Sequence, residues 1–263
     1  MRLIVSVSFL FLLLSENSLA QKTSISFATG YAFPAARRTL VTTSGNGNFE
    51  AVMGSYGSGL NFTLGLERSV GKYLNLGLDA SYSLGNKIKG ETTAYLYALQ
   101  ANLTSKSDNF YFIPYLYSVF PSNSNTRLYV NWGLVISQPH VTNDYFVRAN
   151  NQNSVFTEEL SHKLSIGTRF GSGLAFTSGL NDNVTYTIGF ELIALSPVMD
   201  ELVLTEYFLN GVDQMPGYGS SPPKIIYKKD GKIGTPNTQP ADTSPFSSFG
   251  LKFGCKFKLT PKK

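Results

Sequence analysis

FSSFGLKFGCKFKL, residues 246–259, alternates without a break from Ser248 onward. Phe249, Leu251, Phe253, Cys255, Phe257 and Leu259 fall on one parity, and Ser248, Gly250, Lys252, Gly254, Lys256 and Lys258 on the other. Period two marks a β-strand with two unlike faces, because successive side chains leave a strand on opposite sides. One face here is greasy and the other is small or cationic. The pattern recurs upstream. Residues 23–33 set Ile25, Phe27, Thr29, Tyr31 and Phe33 against Ser24, Ser26, Ala28, Gly30 and Ala32. Residues 58–68 set Leu60, Phe62, Leu64 and Leu66 against Asn61, Thr63, Gly65 and Glu67, and 72–84 set Leu74, Leu76, Leu78, Ala80, Tyr82 and Leu84 against Asn75, Gly77, Asp79, Ser81 and Ser83. Segments 126–138, 162–178 and 183–195 carry the same stripe through Trp132, Phe170 and Phe190. An eighth segment, 108–119, is aromatic on both faces and holds Pro114, where a bulge is expected because proline donates nothing to a ladder.

The connections alternate in length. Those near 69–71, 120–125 and 179–182 are short, and those near 34–57, 85–107, 139–161 and 196–245 are long. Brief periplasmic turns and longer external loops, with both termini periplasmic, are the rhythm of an outer-membrane barrel. A soluble barrel also has one apolar face, turned inward. Its exterior, however, is rich in long charged groups, whereas the polar face here is mostly Gly, Ala, Ser, Thr and Asn. The greasy face therefore belongs in lipid, with Tyr31, Phe33, Tyr82, Phe176, Phe249 and Phe257 as girdle residues. The expected fold is all-β: an eight-stranded antiparallel transmembrane β-barrel in a bacterial outer membrane. If 201–209 and 223–229 also cross, the count becomes ten. The second of these is short for a span of about 9–11 residues, which favours eight.

Arg2, the run Leu3–Leu14 and the small exit Ser18, Leu19 and Ala20 read as a signal peptide over 1–20, leaving 21–263 as the barrel domain. Beyond it no uncharged apolar stretch reaches 18 residues, so membrane residence requires a closed barrel. Composition agrees, with 24 glycines, 19 phenylalanines and 15 tyrosines against 15% charged residues. Cys255 is the single cysteine, so no internal disulfide is expected, and its parity points it at lipid. The formal charge of +5 is mild and scattered, and nucleic acid is not an expected partner.

The run GLNFTLGLERSVGKYLNLGLDASYSLGN (59–86), the hairpin 166–195 and the closing FGLKFGCKFKL (249–259) resemble the outer-membrane β-barrel domain family common in Bacteroidota, a broad relative of the OmpA-type and PorT-type barrels. The resemblance implies fold and location and carries almost nothing about activity. The long segment 196–245 departs from a minimal barrel of this kind.

Motifs for chemistry are sparse, and no catalytic, cofactor or metal site is expected. His140 and His162 fall in or beside an external loop, without cysteine or the HExxH spacing that a zinc site needs, and are expected to be solvated. The Gly-Ser-Gly triplets 57–59 and 171–173 do not complete a nucleophile elbow. Asp144, Glu158 and Glu159 beside the two histidines are the one acid and imidazole grouping at the outer rim. Inward parity collects Glu67, Asp79, Arg169, Glu191 and Lys252. Buried charges are costly unless paired, so Asp79, Arg169, Glu191 and Lys252 are expected to form a network in the lumen. A hairpin turning near 180 sets Arg169 opposite Glu191, and a turn one residue later sets it opposite Ile193 and diagonal to Glu191.

An eight-stranded interior holds side chains or one small ligand, and a general porin needs about 16 strands. Function then moves to the loops. Segment 196–245 stands out, joining the apolar Val198–Leu209 to Pro222, Pro223, Pro236, Pro240 and Pro245 and to Lys224, Lys228, Lys229 and Lys232. Three roles fit: a non-enzymatic structural or interaction scaffold, a narrow channel or small-ligand carrier, and an accessory barrel of an export machine. The expected partners are outer-membrane lipids and, at the loops, an envelope protein or an extracellular ligand.

Overall fold

The alternating segments close into a ring. The computed structural model describes residues 23–35, 38–45, 48–94, 99–120, 125–149, 151–178, 181–219, 222–228, 238–240 and 242–259, so the expected signal peptide at 1–20 lies outside the described residues. In chain order the strands are β1 (Thr23–Pro34), β2 (Arg38–Gly45), β3 (Asn48–Gly54), β4 (Gly59–Ser69), β5 (Leu74–Gly85), β6 (Ile88–Ala94), β7 (Leu99–Val119), β8 (Thr126–Ser137) and β9 (His140–Ala149). They continue as β10 (Gln152–His162), β11 (Ser165–Ser178), β12 (Asn181–Ala194), β13 (Met199–Leu209), β14 (Val212–Asp213), β15 (Lys224–Lys228), β16 (Thr238–Pro240) and β17 (Ser248–Leu259).

Eight of them form the wall, in the cyclic order β1, β4, β5, β7, β8, β11, β12, β17 and back to β1, every neighbour antiparallel. Because β12 pairs directly with β17, the two additional segments of 196–245 do form strands but do not enter the ring. The wall is turned inside out relative to a water-soluble protein. Phe27, Leu64, Phe190, Phe253 and Trp132, the last 50% exposed, stand on its outer face, while Glu67, Asp79, Ser81 and Arg169 are buried within. All six expected girdle aromatics are exposed on the outer face, and Cys255 sits half-buried at the same parity, between Phe27 and Tyr186. No helix among the described residues is long and apolar enough to cross a membrane. A closed ring leaves no sheet edge, so each wall strand pairs on both sides, which is what lipid demands. With its apolar belt, the ring is that of a bacterial outer-membrane barrel.

Pro114 brings no bulge. The ladder with β5 runs in unbroken register through Leu78↔Pro114, and that with β8 keeps one register from Tyr111↔Ser137 to Tyr115↔Gly133 across the proline. Pro114 costs a donor and leaves the register alone. The strand expected from residue 162 begins at Ser165, since His162 closes β10.

At one end the wall strands meet in short turns; at the other they run on. β7 pairs with β5 and β8 through its second half, and its first half continues beyond the ring to pair with β6 and β9. From β9 the ladder passes to β10, β13 and β15, with β16 added in parallel. The described strands of 85–107, 139–161 and 196–245, expected as loops, thus join one sheet that extends the wall, and β2 and β3 form a hairpin that is bridged in parallel to β6 at Ser44↔Thr92. The reason is backbone accounting: long excursions must pair their N–H and C=O groups, and the nearest partners are one another. Tight tips allow it. Asn210 and Gly211 both take positive φ, 50° and 81°, the two-residue turn that matches strand twist.

Candidate functional site

Among the described residues, three tiers of side chains occupy the lumen. Nearest the turn end, Lys256 Nζ lies 2.8 and 2.7 Å from the two Glu67 oxygens, and Glu67 is 4% exposed. Asn75 donates to the same carboxylate at 2.8 Å, and Tyr115 donates at 3.4 Å. The Lys256 ammonium sits 3.8 Å from the Tyr117 ring centroid, and Tyr117 stacks on Tyr129. The middle tier centres on Arg169, 1% exposed. Its Nη1 lies 2.5 Å from Asp79 Oδ2 and 3.5 Å from Glu191 Oε2, and Lys252 Nζ reaches the same Glu191 oxygen at 2.9 Å. The guanidinium also lies over the Tyr115 ring, tying this tier to the one below.

The glycines of the polar face make this filling possible. A Cβ on Gly77 would collide with the Tyr115 ring, and one on Gly65 with the Asp79 carboxylate. Beside Glu191 and Lys252 lies a cavity of ≈ 10 Å³, about the room for a single water.

The third tier, at the loop end, is apolar. Phe246, 0% exposed, packs against Tyr56 and His162, with Tyr111, Ile113, Val141, Leu160 and Leu195 around them. His162 is fully buried, not solvated as expected. One ring nitrogen, Nδ1, lies 3.1 Å from the Pro139 carbonyl and the other, Nε2, lies 2.8 Å from Ser244 Oγ. A carbonyl only accepts, so Nδ1 carries the proton and Nε2 accepts from the serine. Burial pushes the His162 pKa down to about 4, opposed by its hydrogen bond to Pro139.

The structure brings Asp79, Arg169, Glu191 and Lys252 together. The register is the later of the two considered: Arg169 lies opposite Ile193, not opposite Glu191, and Glu191 faces Gly171. The closest partner of Arg169 is Asp79, across the barrel and not along its own hairpin. The reading from sequence left out Lys256, Tyr115, Tyr117 and Tyr129. Lys256 lay on the inward parity of the C-terminal segment, but nothing in the chain gave its depth relative to Glu67.

The rim acids and histidines do not form one cluster. His140 pairs with Glu159 at 3.4 Å on the surface, and Asp144 accepts from Thr157 at 3.0 Å. Glu158 lies on the opposite face from both, and His162 is in the interior. Both triplet serines donate to backbone carbonyls, Ser58 to Ser55 and Ser172 to Tyr129. Among the described residues no group of three or more His, Cys, Asp or Glu side chains is arranged to hold a metal ion.

The extended sheet has a feature of its own, a cavity of ≈ 390 Å³ between β10, β13, β15 and the turn carrying Tyr218. Phe156, Glu158, Leu204, Tyr207, Tyr218 and Lys224 are among its walls. Tyr145 stacks on Phe156 with centroids 4.5 Å apart, and Phe156 meets Tyr207 edge-on. Desolvation holds the Glu158 carboxyl above the usual carboxylate range, and a hydrogen bond from Tyr145 works against that rise. Lys224 is engaged elsewhere, 3.1 Å from Glu201.

No protein-family model matches the chain, and no curated protein matches it. Several solved structures are similar to it at low identity. Neisserial surface protein A is 12% identical, with 93% of this chain and 100% of that chain covered and a TM-score of 0.38. Ail, the attachment invasion locus protein of Yersinia pestis, is 10% identical, with 91% and 97% covered and a TM-score of 0.30. The outer membrane protein AlkL is 12% identical, with 93% and 94% covered and a TM-score of 0.40.

Proposed function

We propose that this outer-membrane barrel is a non-enzymatic recognition scaffold, closed through its lumen by its own side chains and displaying the extended sheet to the cell exterior. The observation that carries the reading is the division of the molecule. Paired charges and an apolar cap occupy the barrel, whereas the strands of the long-loop end continue into an ordered sheet with a cavity. The Asp79, Arg169, Glu191 and Lys252 network then serves to hold the wall together and to exclude a water column. The filled lumen weighs against a channel, and no particular contact favours an export accessory. The partners are outer-membrane lipids around the belt and an extracellular ligand or envelope protein at the sheet. On the strength of 59–86, 166–195 and 249–259, the chain is read as a member of the barrel-domain family common in Bacteroidota.

Orientation is the testable core. Val212, exposed beside the Asn210–Gly211 tip, replaced by cysteine in a Cys255→Ser background, should react in intact cells with a membrane-impermeant maleimide. Labelling only after the cells are opened would place the sheet in the periplasm and defeat the proposal.

A further inference from the structure

We infer that the cavity of the extended sheet binds a small organic ammonium compound, its cation held at Glu158 and its apolar body against Phe156, Tyr207 and Tyr218. The inference deepens the proposed recognition role by naming the ligand chemistry, and it rests on the sheet being the recognition surface.

Size comes first. A volume of ≈ 390 Å³ lies within the roughly 300–1,000 Å³ typical of small-molecule sites, and a cavity of about 150 Å³ already holds benzene. An aromatic ring with a short aminoalkyl arm fits this volume. Lining chemistry comes second. Leu202, Leu204 and Ile225 add aliphatic wall to the three aromatics, so the body of the ligand is apolar.

Charge decides the rest. Glu158 is a half-buried carboxyl on an apolar wall, and Tyr145 gives it a hydrogen bond. Among the described residues no cation lies within ion-pair distance of it. Lys224, the cation at the cavity, is paired with Glu201 and half exposed. A carboxylate so placed lacks the partner that would offset its desolvation. An anion would be repelled there, and a neutral apolar molecule would leave the carboxylate uncompensated. An ammonium supplies the missing charge, and aromatic faces attract it further.

The test uses the protein in lipid nanodiscs, with 2-phenylethylammonium as probe and 2-phenylethanol as its neutral counterpart, measured by calorimetric titration. The ammonium should bind saturably and at least about tenfold more tightly than the alcohol. Glu158→Gln should abolish that preference while leaving the alcohol's affinity in place, and Glu158→Asp should keep part of it. In the unaltered protein the preference should fade as acidification protonates the carboxyl, which tests the site without any variant. Equal affinity for the two probes, no saturable binding of the ammonium, or a preference indifferent to both Glu158→Gln and pH would overturn the inference. Because binding is measured on purified protein, its failure is distinct from a failure of the labelling test of orientation.

Discussion

The lumen and the extended sheet both bury carboxyl groups among tyrosines, and they treat them oppositely. In the lumen Glu67 has Lys256, Asp79 has Arg169, and Glu191 has both Arg169 and Lys252. In the sheet Glu158 has a tyrosine hydroxyl and no cation among the described residues. The difference separates two uses of the same side chain. A carboxylate that is fully matched from within holds structure, because removing any partner strands a buried charge. A carboxylate left unmatched on a cavity wall is available to something from outside.

The comparison breaks most visibly at Arg169. Arg169→Ala should lower stability in urea unfolding from lipid vesicles by about 3–5 kcal/mol, since the buried Asp79 loses its cation and Glu191 keeps only Lys252. In double-mutant cycles Arg169 should couple more strongly to Asp79 than to Glu191, following their separations of 2.5 and 3.5 Å. Additive effects in both cycles would mean that the lumen charges act alone.

The cap above the network should respond to acid. His162 is neutral when buried, with its pKa lowered to about 4, and an imidazole freed to water titrates near 6.5. Below about pH 6.5 the open or unfolded form therefore binds the extra proton. Stability is fully present above that value and is lost progressively as pH falls toward 4, by at most about 3 kcal/mol. Hydrogen exchange around Phe246 and Leu195 should accelerate over this window, and His162→Gln should flatten the response. Exchange that is insensitive to pH in the unaltered protein would contradict the assignment. A smaller effect, about 1–3 kcal/mol from overpacking against Tyr115, is expected for Gly77→Ala by the same unfolding measurement. Smallest of all, Glu158→Gln should shift stability by no more than about 0.5 kcal/mol, because no internal ion pair is lost. A loss comparable to that of Arg169→Ala would erase the distinction between the two regions.

Much of the wall was legible in the chain, because period-two alternation and an inverted polar face are local properties. Phe249 to Leu259 announce strand, facing and medium together. The parity of Asp79, Arg169, Glu191 and Lys252 was readable for the same reason. Their distances were not, since depth in a barrel depends on tilt and stagger around the ring, and a turn displaced by one residue moved Arg169 from Glu191 to Ile193. Tyr115 and Tyr117 were hidden by a segment with aromatics on both faces. The extended sheet escaped because β9 and β10 lie between turn signals that read as loop, while 201–209, which forms β13, reads only as a further membrane span. Asn210–Gly211 was the available clue to a hairpin. The cavity is assembled from strands distant in sequence, so only the pairing of β10 with β13 and β13 with β15 creates it.

The central claim is that the barrel is closed by its own side chains, and electrical conductance tests it most directly. Protein refolded into lipid vesicles, shown to be folded by its heat-dependent shift on SDS gels, would be fused into a planar bilayer under applied voltage. Paired charges in the middle tier and the Phe246 cap above them predict a baseline indistinguishable from bare lipid. Reproducible unitary current steps from the unaltered protein would contradict the account.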